Sequence, residues 1–279
     1  MPNRRRNRIR GLCGRGTARG MKHFAAFVVL AAITGWVHLY QFTALPQWDT
    51  WAFLLSARWL HQGIIPYRDA WDVRPPGSTL YMAGVFSLLP TTIWSVRLVD
   101  VAIYLIGAFL LYALAQELIV WPLAVIAAGI WTVLIHDPMW DIGGLWPEQL
   151  LSVCWIGAWL AAMRGLPMLA GVAIGTSALF KHAGAFMLLP VALLCCTRCR
   201  DIFKIAAGAA IPYAAVTLYF WAEGGLTDFL AALLAARRCV IQADLRQRLF
   251  VYWWGSIVHQ VNWHPILLWL AATGALAGC

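Results

Sequence analysis

The chain has 279 residues, of which 62% are hydrophobic and 12% charged. Its mean hydropathy is +0.70. A soluble domain is nearer half apolar and a quarter charged, so soluble enzymes, disordered chains and DNA-binding domains are excluded as first readings. The formal charge of +9 is uneven: Arg4, Arg5, Arg6, Arg8, Arg10, Arg15, Arg19 and Lys22 all precede the first long apolar run. The positive-inside rule reads that run as a topology signal, with residues 1–21 a basic cytoplasmic segment rather than a nucleic-acid arm. The composition predicts an all-α polytopic membrane protein with room for about eight transmembrane helices.

Residues 22–45 form the first expected span, a signal anchor too long for a cleaved leader. The outer loop 46–94 follows. In it residues 51–61 are amphipathic and end at a Gly63 stop, and residues 77–90 are apolar but too short to cross a core of about 30 Å. Both read as interfacial helices. Further spans are expected at about residues 95–115, 120–135, 148–163, 168–180, 183–196, 205–221 and 265–279. Residues 22–279 then make one transmembrane domain. Its last apolar run ends at Cys279, which reads as a short final helix or a shortened C-terminus.

This topology leaves nine basic residues outside, among them Arg58, Arg68, Arg74, Arg237, Arg238, Arg246 and Arg248. Outer arginines against the charge bias invite a function such as binding an anionic lipid head group. The 17 tryptophans gather near expected span ends, as an interfacial belt does. Sugar stacking by one or two of them is the sharper reading. Cys195, Cys196 and Cys199 lie together, but no histidine follows at zinc spacing, and they read as small apolar helix residues. Gly171 and Gly175 form a small-xxx-small pair, the mark of close helix packing. Asp100 and Arg97 are spaced as an i,i+3 pair facing the bundle, and His38 reads as a packed histidine.

The densest chemistry lies in the first outer loop. Asp49 follows the first span; then come Pro66-Tyr67-Arg68-Asp69, Trp71-Asp72 and Arg74-Pro75-Pro76-Gly77. Carboxylates at a membrane edge are costly, and are functional candidates by default. Asp69 and Asp72 also read as local ion pairs of a solvated loop. The order of an Asp after the first span, an Ala-Arg-x-Leu helix, Gly-x-x-Pro-Tyr-x-Asp and a basic residue before Pro-Pro resembles the membrane glycosyltransferases of the GT-C fold. The nearest type is the protein O-mannosyltransferase and lipid A aminoarabinose transferase group, including the bacterial family that glycosylates lipopolysaccharide cores. Arg97-Leu98, Glu148 opening the fourth span and Gly171…Gly175…Lys181 agree in order, so the resemblance covers about residues 22–225. Members of that family are usually longer, and Val73 stands where some carry an acid.

The resemblance implies transfer of a sugar from a polyprenyl-phosphate donor to a lipid, glycan or protein acceptor at the periplasmic face of the inner membrane, with no cofactor. It implies Asp49 as general base and Arg74 on the donor phosphate, with Tyr67 and Asp69 on the substrate. Arg237 and Arg238, or Arg246 and Arg248, are second candidates for the phosphate. A phosphate leaving group needs positive charge rather than a general acid, and arginine supplies it bidentately. Glu148 has two readings, a carboxylate favouring a helix N-terminus or a substrate ligand. Lys181 likewise either snorkels to the interface or meets phosphate. Asp141, before Gly143-Gly144, reads as a turn residue. A metal shared by Asp137, Asp141 and Glu148 is the weaker alternative, and none is expected. Two other classes stay open: a non-catalytic remnant or accessory subunit with a partner chain, and a transporter or flippase of a lipid-linked precursor. Transporters place charges near mid-span and often carry internal repeats; here the charges gather at the outer edge.

Overall fold

The computed structural model describes residues 3–42, 48–72, 74–135, 146–195 and 199–242. Among them there is no β-strand, and every named element is a helix. The chain divides into two compact units, residues 1–226 and 227–279.

Helix α1 runs from Asn3 to Gln41. The basic N-terminal segment is therefore continuous with the first apolar stretch, Gly20–Leu39, which is long and apolar enough to cross a bilayer. Helix α2, Trp48–His61, and helix α3, Gly77–Leu88, occupy the first loop. At 14 and 12 residues they are about 21 and 18 Å long. Both are too short to span, as expected. Gly63 ends α2 in the left-handed region, φ 79°, a conformation that costs glycine nothing.

Helix α4, Ile93–Ala115, is a full-length candidate span. Thr92 opens it, accepting a hydrogen bond from the Ser95 backbone N–H. Helix α5 (Trp121–Ile135), α6 (Pro147–Met163) and α7 (Pro167–Phe180) have 15, 17 and 14 residues. The expected span at 183–196 is broken: a 3-10 segment, His182–Met187, leads into the short α8, Leu188–Cys195. Pro190 accounts for the break. It stands in the first turn of α8, where its missing N–H is not needed and its ring does not meet a helical carbonyl four residues back. Helix α9, Cys199–Ala222, contains Pro212 and supplies the third long apolar segment, Arg200–Ala222. Thus three of the described helices are long and apolar enough to cross a membrane, and three apolar segments are shorter. Helix α10, Leu226–Gln242, lies in the stretch read as an outer loop and belongs largely to the second unit. The expected last span, 265–279, lies outside the described residues.

Small residues set the packing of the first unit. A Cβ on Gly171 or Gly175 would collide with the backbone of Ile205 or Ala209 on α9, and one on Gly208 with Met168. The two glycines of α7 thus bring α7 and α9 into backbone contact, as their spacing predicts. Ala158, Ala161, Ala170 and Ile205 extend this core. Ala26 and Leu30 of α1 pack with Ala108, Tyr112, Ala124 and Ala128 of α4 and α5. Leu54 and Ala57 of α2 pack with Met82, Val85 and Val96, which seats α2 and α3 against the first turns of α4.

Candidate functional site

The loop between α2 and α3 is a tied knot of polar contacts. The His61 ring nitrogen Nε2 donates to the Ala83 carbonyl at 2.9 Å, pinning the end of α2 to α3. Asp69 closes the next turn. Its carboxylate accepts from the Ile65 N–H at 2.8 Å and from Arg68 Nε and Nη2 at 2.9 and 2.8 Å. The paired Arg68 guanidinium, then the Ile65 N–H, hold its carboxyl down at about 2. Arg68 also donates to the Glu223 carbonyl at the end of α9.

Tyr67 sits at φ 71°, the one non-glycine left-handed residue among those described. Such a conformation is held only where the surroundings over-determine it. Here the Tyr67 N–H donates to the Ala70 carbonyl at 2.8 Å, and the ring meets Phe220 edge-on at 5.3 Å. The phenol donates to the Arg74 carbonyl at 2.5 Å. Burial, with the Asp72 charge adding to it, pushes that phenol far above its usual range, so it stays a donor.

Arg74 is therefore fixed on three sides. Tyr67 holds its carbonyl, and the Asp72 carboxylate accepts from its N–H at 3.0 Å. Its guanidinium lies 5.1 Å over the Phe53 ring of α2, a cation–π distance. Residue 49 is one helical turn before Phe53, on the same face of α2. The fold thus brings Arg74 to the α2 face that carries residue 49. The side chain of Asp49 itself lies outside the described ones, as do those of Arg237 and Arg238 on α10.

Three residues after Arg74, Gly77 abuts the end of α7. A Cβ there would lie 2.5 Å from the Leu179 carbonyl. The next residues of α7 lead to Lys181, whose ammonium pairs with the Glu148 carboxylate. Glu148 stands in the first turn of α6, but the open Trp146 N–H there is satisfied by Gln149 Oε1 at 2.9 Å. Glu148 thus stands at the N-terminus of α6 and pairs with Lys181. The pair is about half exposed, 44% and 50%. It borders a cavity of about 320 Å³ lined by Leu134, Ile135, Trp146, Glu148 and Gln149. The Trp146 Nε1 donor is buried and has no hydrogen-bond partner among the described residues.

A buried polar group at the junction of α1 and α4 goes beyond the sequence reading. His38 Nε2 lies 3.5 Å from Asp100 Oδ2, with the side chains 1% and 3% exposed. His38 Nδ1 faces the Thr34 carbonyl at 2.8 Å, and Tyr104 packs edge-on against the ring. Arg97 is 1% exposed. Asp100 and Arg97 do face the bundle, and Asp100 meets His38 of a different helix. Depth was the available signal: both ionisable groups lie near one end of spans expected to run antiparallel, and intramembrane charges seek partners.

At the opposite end of the helices Arg164 Nε and Glu117 Oε1 pair at 3.1 Å. Among the described residues no three His, Cys, Asp or Glu are grouped to hold a metal. Asp137 and Asp141 lie outside those residues. Comparison with family models, curated proteins and solved structures finds no match to this chain.

Proposed function

We propose that the protein is a membrane glycosyltransferase that moves a sugar from a polyprenyl-phosphate donor to a hydroxyl acceptor. The observation that carries the reading is the seating of Arg74 over Phe53, one turn from residue 49. This arrangement suits the two demands of the chemistry. Asp49 takes the proton of the acceptor hydroxyl as its oxygen attacks the anomeric carbon. The anomeric carbon–oxygen bond to phosphate breaks, and the electron pair leaves with the phosphate. Arg74 meets the charge that develops there, so no general acid is needed. A single displacement inverts the anomeric centre.

The remaining residues support the same centre. Tyr67 and Asp69 act through Arg74 as positioning residues, because their polar groups are engaged within the turn. At the neighbouring cavity Glu148 and the Trp146 donor, without a partner among the described residues, suit sugar hydroxyls, which both donate and accept. Lys181 sets the position of Glu148. Arg237 and Arg238 remain second candidates for the phosphate.

In this proposal the membrane is the bacterial inner membrane, with the loop carrying Arg74 on the periplasmic side and the N-terminus in the cytoplasm. The experiment is transfer of labelled sugar from a panel of purified polyprenyl-phosphate donors to membrane lipid acceptors by the protein in lipid nanodiscs. Arg74→Gln raises KM for the donor by about tenfold or more, the scale of one charge-assisted contact. Absence of transfer with every donor would turn the reading towards an accessory subunit.

A further inference from the structure

A surface groove of about 180 Å³ lies where α2, the end of α3 and the start of α4 meet. Its walls are Trp51, Leu55, Phe86, Ile93 and Val96, and Arg58 stands among them. None of its lining residues is acidic. Arg58 is exposed and has no hydrogen-bond or ion-pair partner among the described residues. Thr92 and Ile93, which also border the groove, are the cap and first residue of the 23-residue α4, so its positive dipole end opens there. Trp51 and Leu55 leave 50% and 46% of their surface open.

We propose that this groove binds an anionic phospholipid of the leaflet at the N-terminal end of α4, its phosphodiester on Arg58 and a length of acyl chain between Leu55 and Phe86. Charge complementarity decides the class: one unpaired cation and a helix N-terminus stand over walls that are otherwise apolar. Size agrees, since an apolar cavity of about 150 Å³ accommodates a six-carbon ring. The site is separate from the proposed catalytic centre. Trp51, Leu55 and Arg58 follow the i, i+4, i+7 stripe of α2, and residues 49 and 53 lie about half a turn away on the other side of that helix. A lipid held here braces the outer face of α2 while its other face carries Arg74.

The test is native mass spectrometry of the full chain released from nanodiscs containing phosphatidylglycerol and phosphatidylcholine. The wild type retains phosphatidylglycerol. Arg58→Gln lowers that retention about fivefold, the weight of one basic residue at a membrane surface. Leu55→Trp, which fills the groove without touching the charge, lowers it as well. Phosphatidylcholine retention changes in neither. Thermal unfolding of both variants at the wild-type temperature confirms that they fold. Equal phosphatidylglycerol retention by Arg58→Gln and wild type, or none by the wild type, would overturn the proposal. Displacement of the phospholipid by added polyprenyl phosphate would also overturn it, by assigning the groove to the sugar carrier.

Discussion

The phenol of Tyr67 donates a 2.5 Å hydrogen bond to the carbonyl of Arg74. A left-handed residue thus anchors the backbone of the cation assigned to the donor phosphate. Tyr67→Phe keeps the ring against Phe220 and removes only that bond. The expected loss is about 1 kcal/mol of local order, seen as a several-fold rise in donor KM with little change in global unfolding. Unchanged KM would separate Tyr67 from the positioning of Arg74.

The turn at Asp69 has a defined acid limit. Its carboxyl sits at about 2 against an ordinary 3.8, because Arg68 and the Ile65 N–H bind the charged form. The folded value is the lower one, so the contribution is fully present above about pH 4 and is lost as pH falls through 2. Hydrogen exchange at the Ile65 amide, measured in nanodiscs and corrected for intrinsic rate, should therefore quicken between pH 4 and 2. In Asp69→Asn that step is absent.

The buried pair of His38 and Asp100 should show strong coupling. Removing one partner, as in Asp100→Ala or His38→Ala, takes this contact from a buried polar group and should cost about 1–3 kcal/mol. The double variant His38→Leu with Asp100→Leu should cost less than either single change. Additive losses in thermal unfolding would show that the two side chains do not interact.

Helix α7 leaves no room for a side chain at Gly171 and Gly175, where its backbone meets α9. Gly171→Val would push into the Ile205 backbone and should cost at least about 1–3 kcal/mol. Gly157→Ala is the matched control: its added carbon would find its nearest neighbour, Leu110 Cδ1, at 3.8 Å, an ordinary contact. Equal melting temperatures for the two variants would contradict the packing.

Periodicity and punctuation made much of the helical frame legible before the structure. Gly63 marks the end of α2, and the short apolar run after Pro76 is helix α3, too short to span. The Gly171–Gly175 spacing announced close helix packing, and the structure supplies α9 as the partner. The break at 183–196 escaped because hydropathy weighs Pro190 by its polarity and not by its missing N–H. Helix α10 escaped because its mixed apolar and basic residues resemble an outer loop. Within the candidate site, the chemistry-bearing residues were readable but their partners were not. Glu148 and Lys181 are 33 residues apart. They meet because α6 and α7 form an antiparallel hairpin that returns the end of one helix to the start of the other. Asp69 and Asp72 could equally have faced substrate or closed the loop; their hydrogen bonds, set by the turn around Tyr67, favour closure.

Sugar transfer by wild type and Asp49→Asn, with donor binding recorded in parallel, tests directly whether Asp49 is the base. The amide keeps the size and polarity of the side chain but cannot take the acceptor proton. Loss of a general base typically costs about 10²–10⁴-fold in rate. Transfer should fall on that scale with donor affinity unchanged. Full transfer by Asp49→Asn would contradict it.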